Sequence, residues 1–166
     1  MHKITKKLFK EMQVPTPEMA AKDVECWNKY NNYASIVEPE KIGMPMVKMM
    51  REKKQESMFT VTLDTSNHIL NIWKITTGLV DQTPASPREC FAPAFKDMAK
   101  SVIFVHNHPS GCTDPSECDW ALTEQLCAAG KILMIPVLDH IIVGKHYFTS
   151  MCRRNPVPFE MSHAKK

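Results

Sequence analysis

His106-Asn107-His108-Pro109, followed after a short interval by Ser116-Glu117-Cys118-Asp119, concentrates metal-binding side chains in one stretch of chain. Side chains of a strand alternate between faces, so His106 and His108 project the same way while Asn107 points opposite, and two imidazoles on one face can share an ion. A third ligand must come from elsewhere. Asp119 lies one short loop away, and Pro109, Ser110 and Gly111 let a chain turn back sharply. Three protein ligands leave a tetrahedral zinc ion one position for water, which becomes a usable nucleophile near neutral pH. The chemistry expected is hydrolysis at one catalytic Zn2+. Ser116-x-x-Asp119 is also a helix N-terminus signal, with Ser116 as cap and Asp119 beside the positive end of the dipole, and both readings can hold together.

The elements that must position these groups can be read around them. Val102 to Val105 is a short apolar run, suited to a strand buried on both faces that delivers His106 to its carboxyl end. A helix is predicted from Ser116 to about Ala129, ending at Gly130, followed by strands at 132–138 and 140–143 and a further short one at 146–149. Upstream, Ser57 to Asp64 alternates as a half-buried strand, with Phe59, Val61 and Leu63 on one face and Met58, Thr60 and Thr62 on the other. Thr65-Ser66-Asn67 turns it into a return strand over 68–77. Ser86-Pro87-Arg88-Glu89 reads as a capping box with proline at the first helical position, opening a helix to about Lys100 that Pro93 would distort. Thr16-Pro17 opens an earlier helix, and Met44, Met46, Met49 and Met50 read as core filling, since thioethers adapt to irregular gaps.

With 166 residues and 43% hydrophobic content the chain can fill one core. A formal charge of +3 is only mildly basic, and no Arg/Lys stripe with interleaved aromatics argues for nucleic acid. The basic start, with Lys3, Lys6, Lys7 and Lys10, lacks an apolar stretch of signal-peptide or membrane-spanning length, so a cytoplasmic protein without membrane contact is expected. The six cysteines are then reduced thiols, with Cys112 and Cys118 near enough to the proposed site for a thiolate to compete for zinc.

From Glu56 through Ser150 the sequence resembles the JAMM/MPN metalloprotease domain, whose pattern is Glu, then His-x-His-Pro, then Ser-x-x-Asp. Within that superfamily it is most similar to RadC-like proteins, through Pro87-Arg88-Glu89, His106-Asn107-His108-Pro109-Ser110-Gly111, Pro115-Ser116, Asp119, Thr123 and Asp139-His140-Ile141-Ile142-Val143-Gly144. The resemblance implies an α/β fold, a mixed β-sheet flanked by helices. It implies residues 51–152 as the JAMM/MPN domain, with 1–50 a helical extension packed on it and 153–166 a basic, mobile tail. The helical segment with a helix-hairpin-helix that precedes this domain in longer RadC proteins is expected to be absent. Oligomeric state stays open.

The resemblance also assigns roles. His106, His108 and Asp119 would be the metal ligands, in preference to Asp114. Glu56 would take a proton from the metal's water and return it to a departing nitrogen, in preference to Glu89, which has employment enough in its capping box. Ser116 would donate a hydrogen bond to the oxyanion that forms when water adds to a carbonyl. The activity implied is cleavage of an amide or isopeptide bond in a peptide-type substrate. The RadC name implies, as an alternative, a DNA-related role in repair or mobile-element biology. A zinc nucleobase deaminase is disfavoured, because neither His-x-Glu nor Pro-Cys-x-x-Cys occurs. Asp139-His140 stays open between a partner that orients a ligand histidine and a satisfied buried turn.

Overall fold

The computed structural model describes residues 38–77 and 85–162. The helix expected to open at Thr16-Pro17 lies outside them. In chain order the elements are α1 (Glu40–Met50), β1 (Ser57–Leu63), β2 (Ile69–Thr77), α2 (Pro87–Lys96), β3 (Ser101–Asn107), α3 (Glu117–Leu133), β4 (Val137–Val143), β5 (Phe148–Ser150), α4 (Met151–Arg154) and α5 (Val157–Ser162). The strands form one sheet in the order β2-β1-β3-β4-β5. Among the described residues only the β3–β4 pair is parallel, and α3 makes the crossover between them; the other described pairs are antiparallel. This is the mixed α/β sheet flanked by helices that the sequence predicts. Among the described residues no helix is long and apolar enough to cross a membrane.

Period-two alternation sorts the strand side chains onto two helix-covered faces. Phe59, Val61, Leu63, Ile103, Val105, Ile141 and Val143 pack against Ile42, Met46, Val47 and Met50 of α1. The Met-rich stretch is therefore core filling, with Met46 and Met50 buried and Met44 left outside. On the other face Met58, Val102, Phe104 and Ile142 pack with Cys90 and Phe91 of α2, Leu126 and Cys127 of α3, Met151 and Phe159. Helices cover both faces, so every residue of β1 is buried, where one solvated face was expected. The reason lies in hydroxyl partners contributed from other elements. Thr60 Oγ1 donates to the Cys90 carbonyl at 2.8 Å and Thr62 Oγ1 to Asp97 Oδ2 at 2.6 Å, which removes the cost of burying them.

Several boundaries differ from expectation. Helix α2 ends at Lys96, not near Lys100, with Met98 left-handed at φ 50° and the Asp97 carboxylate drawn inward to Trp73 Nε1 at 2.6 Å. Gly130 does not end α3, which runs to Leu133 with Met134 as its left-handed cap. A Cβ at Gly130 would lie 2.7 Å from the Ile135 carbonyl oxygen, so the glycine permits close backbone approach within the helix. The strand expected at 132–138 begins only at Val137, because Ile132 and Leu133 complete α3, and it runs without a break into the one expected at 140–143, so that β4 contains Asp139 and His140. Within the stretch expected to be a mobile tail, Val157–Ser162 form a short helix anchored by Phe159, which is buried to 1% exposure between α3 and the sheet.

Asp139 accounts for how α4 is held. Its carboxyl accepts the His140 N–H at 2.7 Å, the Cys152 N–H at 3.0 Å and the Ser150 hydroxyl at 2.6 Å, pinning the β5–α4 corner to β4. Burial outweighs these donors and pushes its pKa up to about 6 from the ordinary 3.8. The folded chain therefore keeps this proton to higher pH than the unfolded chain does. Its contribution to stability is full below about pH 4, is lost as pH rises towards 6, and is constant above that, a span of roughly 3 kcal/mol at 1.4 kcal/mol per unit. Asp139→Asn has the shape and charge of the protonated acid. Urea unfolding from pH 4 to 7 is expected to show the parent losing stability relative to this variant across that window; a constant difference between the two would contradict the buried-acid assignment.

Candidate metal centre

The end of β3 delivers the first two candidate ligands. His106 is in the last turn of pleat and pairs with Ile142 across the parallel β3–β4 ladder. His108 continues the ladder through its N–H to the Val143 carbonyl at 2.9 Å, so both rings emerge on the α3 side of the sheet. The chain then turns at Gly111, left-handed with φ 93°. It passes so close to Gly144 that a Cβ there would collide with the Gly111 carbonyl, and it starts α3 at Ser116. That start is a reciprocal cap. Ser116 Oγ accepts the Asp119 N–H at 3.1 Å, while Asp119 Oδ2 accepts the Ser116 N–H at 2.7 Å and its hydroxyl at 2.6 Å.

The cap turns Asp119 towards the histidines. Nε2 of His106 lies 2.9 Å from Nε2 of His108 and 3.1 Å from Asp119 Oδ1, and His108 Nε2 lies 3.5 Å from Asp119 Oδ2. Donors on a tetrahedral zinc with bonds near 2.0–2.1 Å stand about 3.3 Å apart, and the observed separations bracket that value. Two imidazoles and a carboxylate are a borderline donor set suited to zinc. These residues fit such an ion. Each side chain is 10 to 15% exposed, enough for solvent to reach one side of the group. Burial alone would raise the Asp119 carboxyl, but hydrogen bonds and charge from His106 and His108 hold it well below the usual carboxylate range. His108 is raised in turn, first by its bond to Asp119.

Both histidines present Nε2 to the group because Nδ1 is taken elsewhere. His108 Nδ1 donates to the Cys112 carbonyl at 2.9 Å, in the loop between β3 and α3. His106 Nδ1 lies 2.8 Å from His140 Nε2, and His140 Nδ1 lies 2.7 Å from Thr123 Oγ1. His140 is completely buried, and burial followed by the charge of His106 drives its pKa well down, leaving it neutral. Of the undecided pair, His140 therefore touches the candidate ligand His106, while Asp139 serves the α4 corner. Sequence parity alone carries the signal for His140, since it pairs with Phe104 and so shares a face with His106. Thr123 follows Asp119 by one helical turn and could have been found the same way.

Glu56 stands half-buried just before β1. Met58 pairs with His106 in the antiparallel β1–β3 ladder, and a step of two residues brings Glu56 level with His108, whose proton it helps to hold. Asn107, read from the sequence only as facing away, holds this strand start from both sides. Its Oδ1 accepts the Ser57 N–H at 3.0 Å and its Nδ2 donates to the Gln55 carbonyl at 3.2 Å, bracketing Glu56. Glu56, His106, His108, Ser116 and Asp119 all line one cleft of about 990 Å³.

The rejected candidates have other partners. Glu89 accepts the Ser86 N–H at 3.2 Å in the predicted capping box, and Asp114 pairs with Arg154 Nη2 at 2.7 Å. Cys112 and Cys118 are exposed, and neither belongs to the group of converging ligand atoms.

Relatives share this region of the chain. A UPF0758 protein of Bacillus cereus strain B4264 is 41% identical over 123 residues, covering 74% of this chain and 55% of its own length. UPF0758 proteins of Bacillus cereus strain G9842 and Bacillus anthracis strain CDC 684 / NRRL 3495 are 41% and 40% identical over the same shares of both chains. The chain thus spans about half the length of the curated relatives it matches. Residues 36–156 match the RadC-like JAB domain, a stretch that includes α1, the whole sheet and every residue of the cleft described above. With that match over most of its length, the chain belongs to the RadC-like JAB domain family.

Proposed function

We propose that this domain is a zinc-dependent hydrolase that cleaves an amide or isopeptide bond, with His106, His108 and Asp119 as the ligands. The observation that carries the reading is the convergence of two Nε2 atoms and one carboxylate oxygen, all within 4.8 Å of one another, in a cleft that also holds Glu56. Zinc bound there would supply a Lewis acid for a substrate carbonyl and a water acidified towards neutral pH. Glu56 accepts the proton released on attack and returns it to the departing nitrogen, so one carboxylate acts first as base and then as acid. Asn107 keeps the backbone on both sides of Glu56 at a constant distance from β3. Ser116 holds Asp119 through its N–H and hydroxyl; to serve the oxyanion, the hydroxyl must turn from Asp119 Oδ2 towards the cleft.

The test is metal analysis followed by a substrate panel. Protein dialysed against zinc is expected to retain one ion per chain and to hydrolyse members of a set of peptides and lysine-linked isopeptides, with single- and double-stranded DNA oligonucleotides present as separate arms. Cleavage of an amide supports the reading. Retention of zinc with no amide cleaved, or action on DNA alone, would replace it with the DNA-related alternative.

A further inference from the structure

We propose that His140 and Thr123 are positioning residues that fix the hydrogen-bonding state of His106, a role that rests on His106 being a metal ligand. Three short contacts run in sequence: His106 Nδ1 to His140 Nε2 at 2.8 Å, His140 Nδ1 to Thr123 Oγ1 at 2.7 Å, and Thr123 Oγ1 to the Asp119 main-chain oxygen at 2.6 Å. Each needs one hydrogen, and counting them leaves a single arrangement. The Asp119 oxygen is a carbonyl and can only accept, so the last contact uses the Thr123 hydroxyl hydrogen. Met151 Sδ, at 3.4 Å from the same hydroxyl, is a weaker and more distant acceptor.

With its hydrogen spent, Thr123 can only accept from His140, so His140 carries its proton on Nδ1. A completely buried imidazole whose two ring nitrogens face a hydroxyl and another imidazole stays neutral, which leaves its Nε2 bare. His140 Nε2 therefore accepts, and the hydrogen comes from His106 Nδ1. A neutral His106 protonated there has its lone pair on Nε2, the atom facing His108 and Asp119.

The order has a structural consequence. It begins at one ligand on β3, crosses β4, and ends on the backbone of another ligand in the first turn of α3. Two ligands from different elements are thus tied by a path separate from the metal itself. Removing Thr123's hydroxyl would free His140 to return to the Nε2–H form preferred by imidazole in water. That form sets an N–H against the N–H of a metal-bound His106, so ion binding and ring orientation would oppose each other.

Nitrogen-15 spectra of histidine-labelled protein read the arrangement directly, and metal-free protein suffices. His140 is expected to be in the Nδ1–H form in the parent chain and in Thr123→Ser, and to shift towards Nε2–H in Thr123→Val. Zinc affinity, measured by chelator competition, is expected to fall about ten- to hundredfold in Thr123→Val and to recover in Thr123→Ser. His140 found as Nε2–H in the parent overturns the proposal whether or not any variant folds. So does Thr123→Val with parental affinity. A parent that binds no zinc but has the Nδ1–H form would sink the hydrolase reading while leaving the hydrogen order intact.

Discussion

Glu56→Gln is expected to retain one zinc per chain and to slow amide hydrolysis by a factor of at least about 100, the lower range for losing a positioned general base. The amide keeps the length and shape of the carboxylate, so Asn107 still grips the backbone at Gln55 and Ser57 and the ligand triad is untouched. What disappears is the ability to take up a proton and give it back. Both halves of the proposed cycle use that ability, so the loss should fall on kcat, with KM little changed. Full activity in this variant, on a substrate that the parent chain cleaves, would remove Glu56 from the mechanism. The companion Glu89→Gln touches only the cap of α2 and should leave turnover unaltered.

The second large effect belongs to Asp119. Asp119→Ala removes one of the three proposed ligands and should weaken zinc binding by more than the roughly ten- to hundredfold typical of losing a ligand's outer partner. The same substitution deletes half of the α3 cap, costing about 1 kcal/mol of stability. His108 also loses the bond that mainly raises its pKa. Ser116→Ala separates these roles, because it removes a capping hydroxyl while leaving the carboxylate in place. A comparable loss of stability with much smaller loss of zinc is expected for it. Equilibrium dialysis beside urea unfolding of both variants makes the comparison, and parental zinc affinity in Asp119→Ala would disprove its assignment as a ligand.

Much of this was legible from local pattern. Alternation along 57–64 and 102–108 placed the strands and the paired histidines, and the Ser-x-x-Asp signature placed the start of α3. The parts that escaped depend on partners distant in sequence. Thr60 and Thr62 read as a solvated face because the groups that satisfy them, the Cys90 carbonyl and the Asp97 carboxylate, lie 30 and 35 residues away. Gly130 read as a helix end, although the need for it comes from the Ile135 carbonyl returning against the helix. Asp139 read as a break between two strands because a charged residue interrupts an apolar run, and the Asp139-His140 pair read equally well as a buried turn. In the fold both are buried within β4 and satisfied by Ser150, Cys152, His106 and Thr123.

The amide of Asn107 gives the His-Asn-His tripeptide a use beyond ligation. Its two outer residues would hold the proposed ion while its middle residue grips the start of β1, so one three-residue stretch would set the separation between Glu56 and a bound metal.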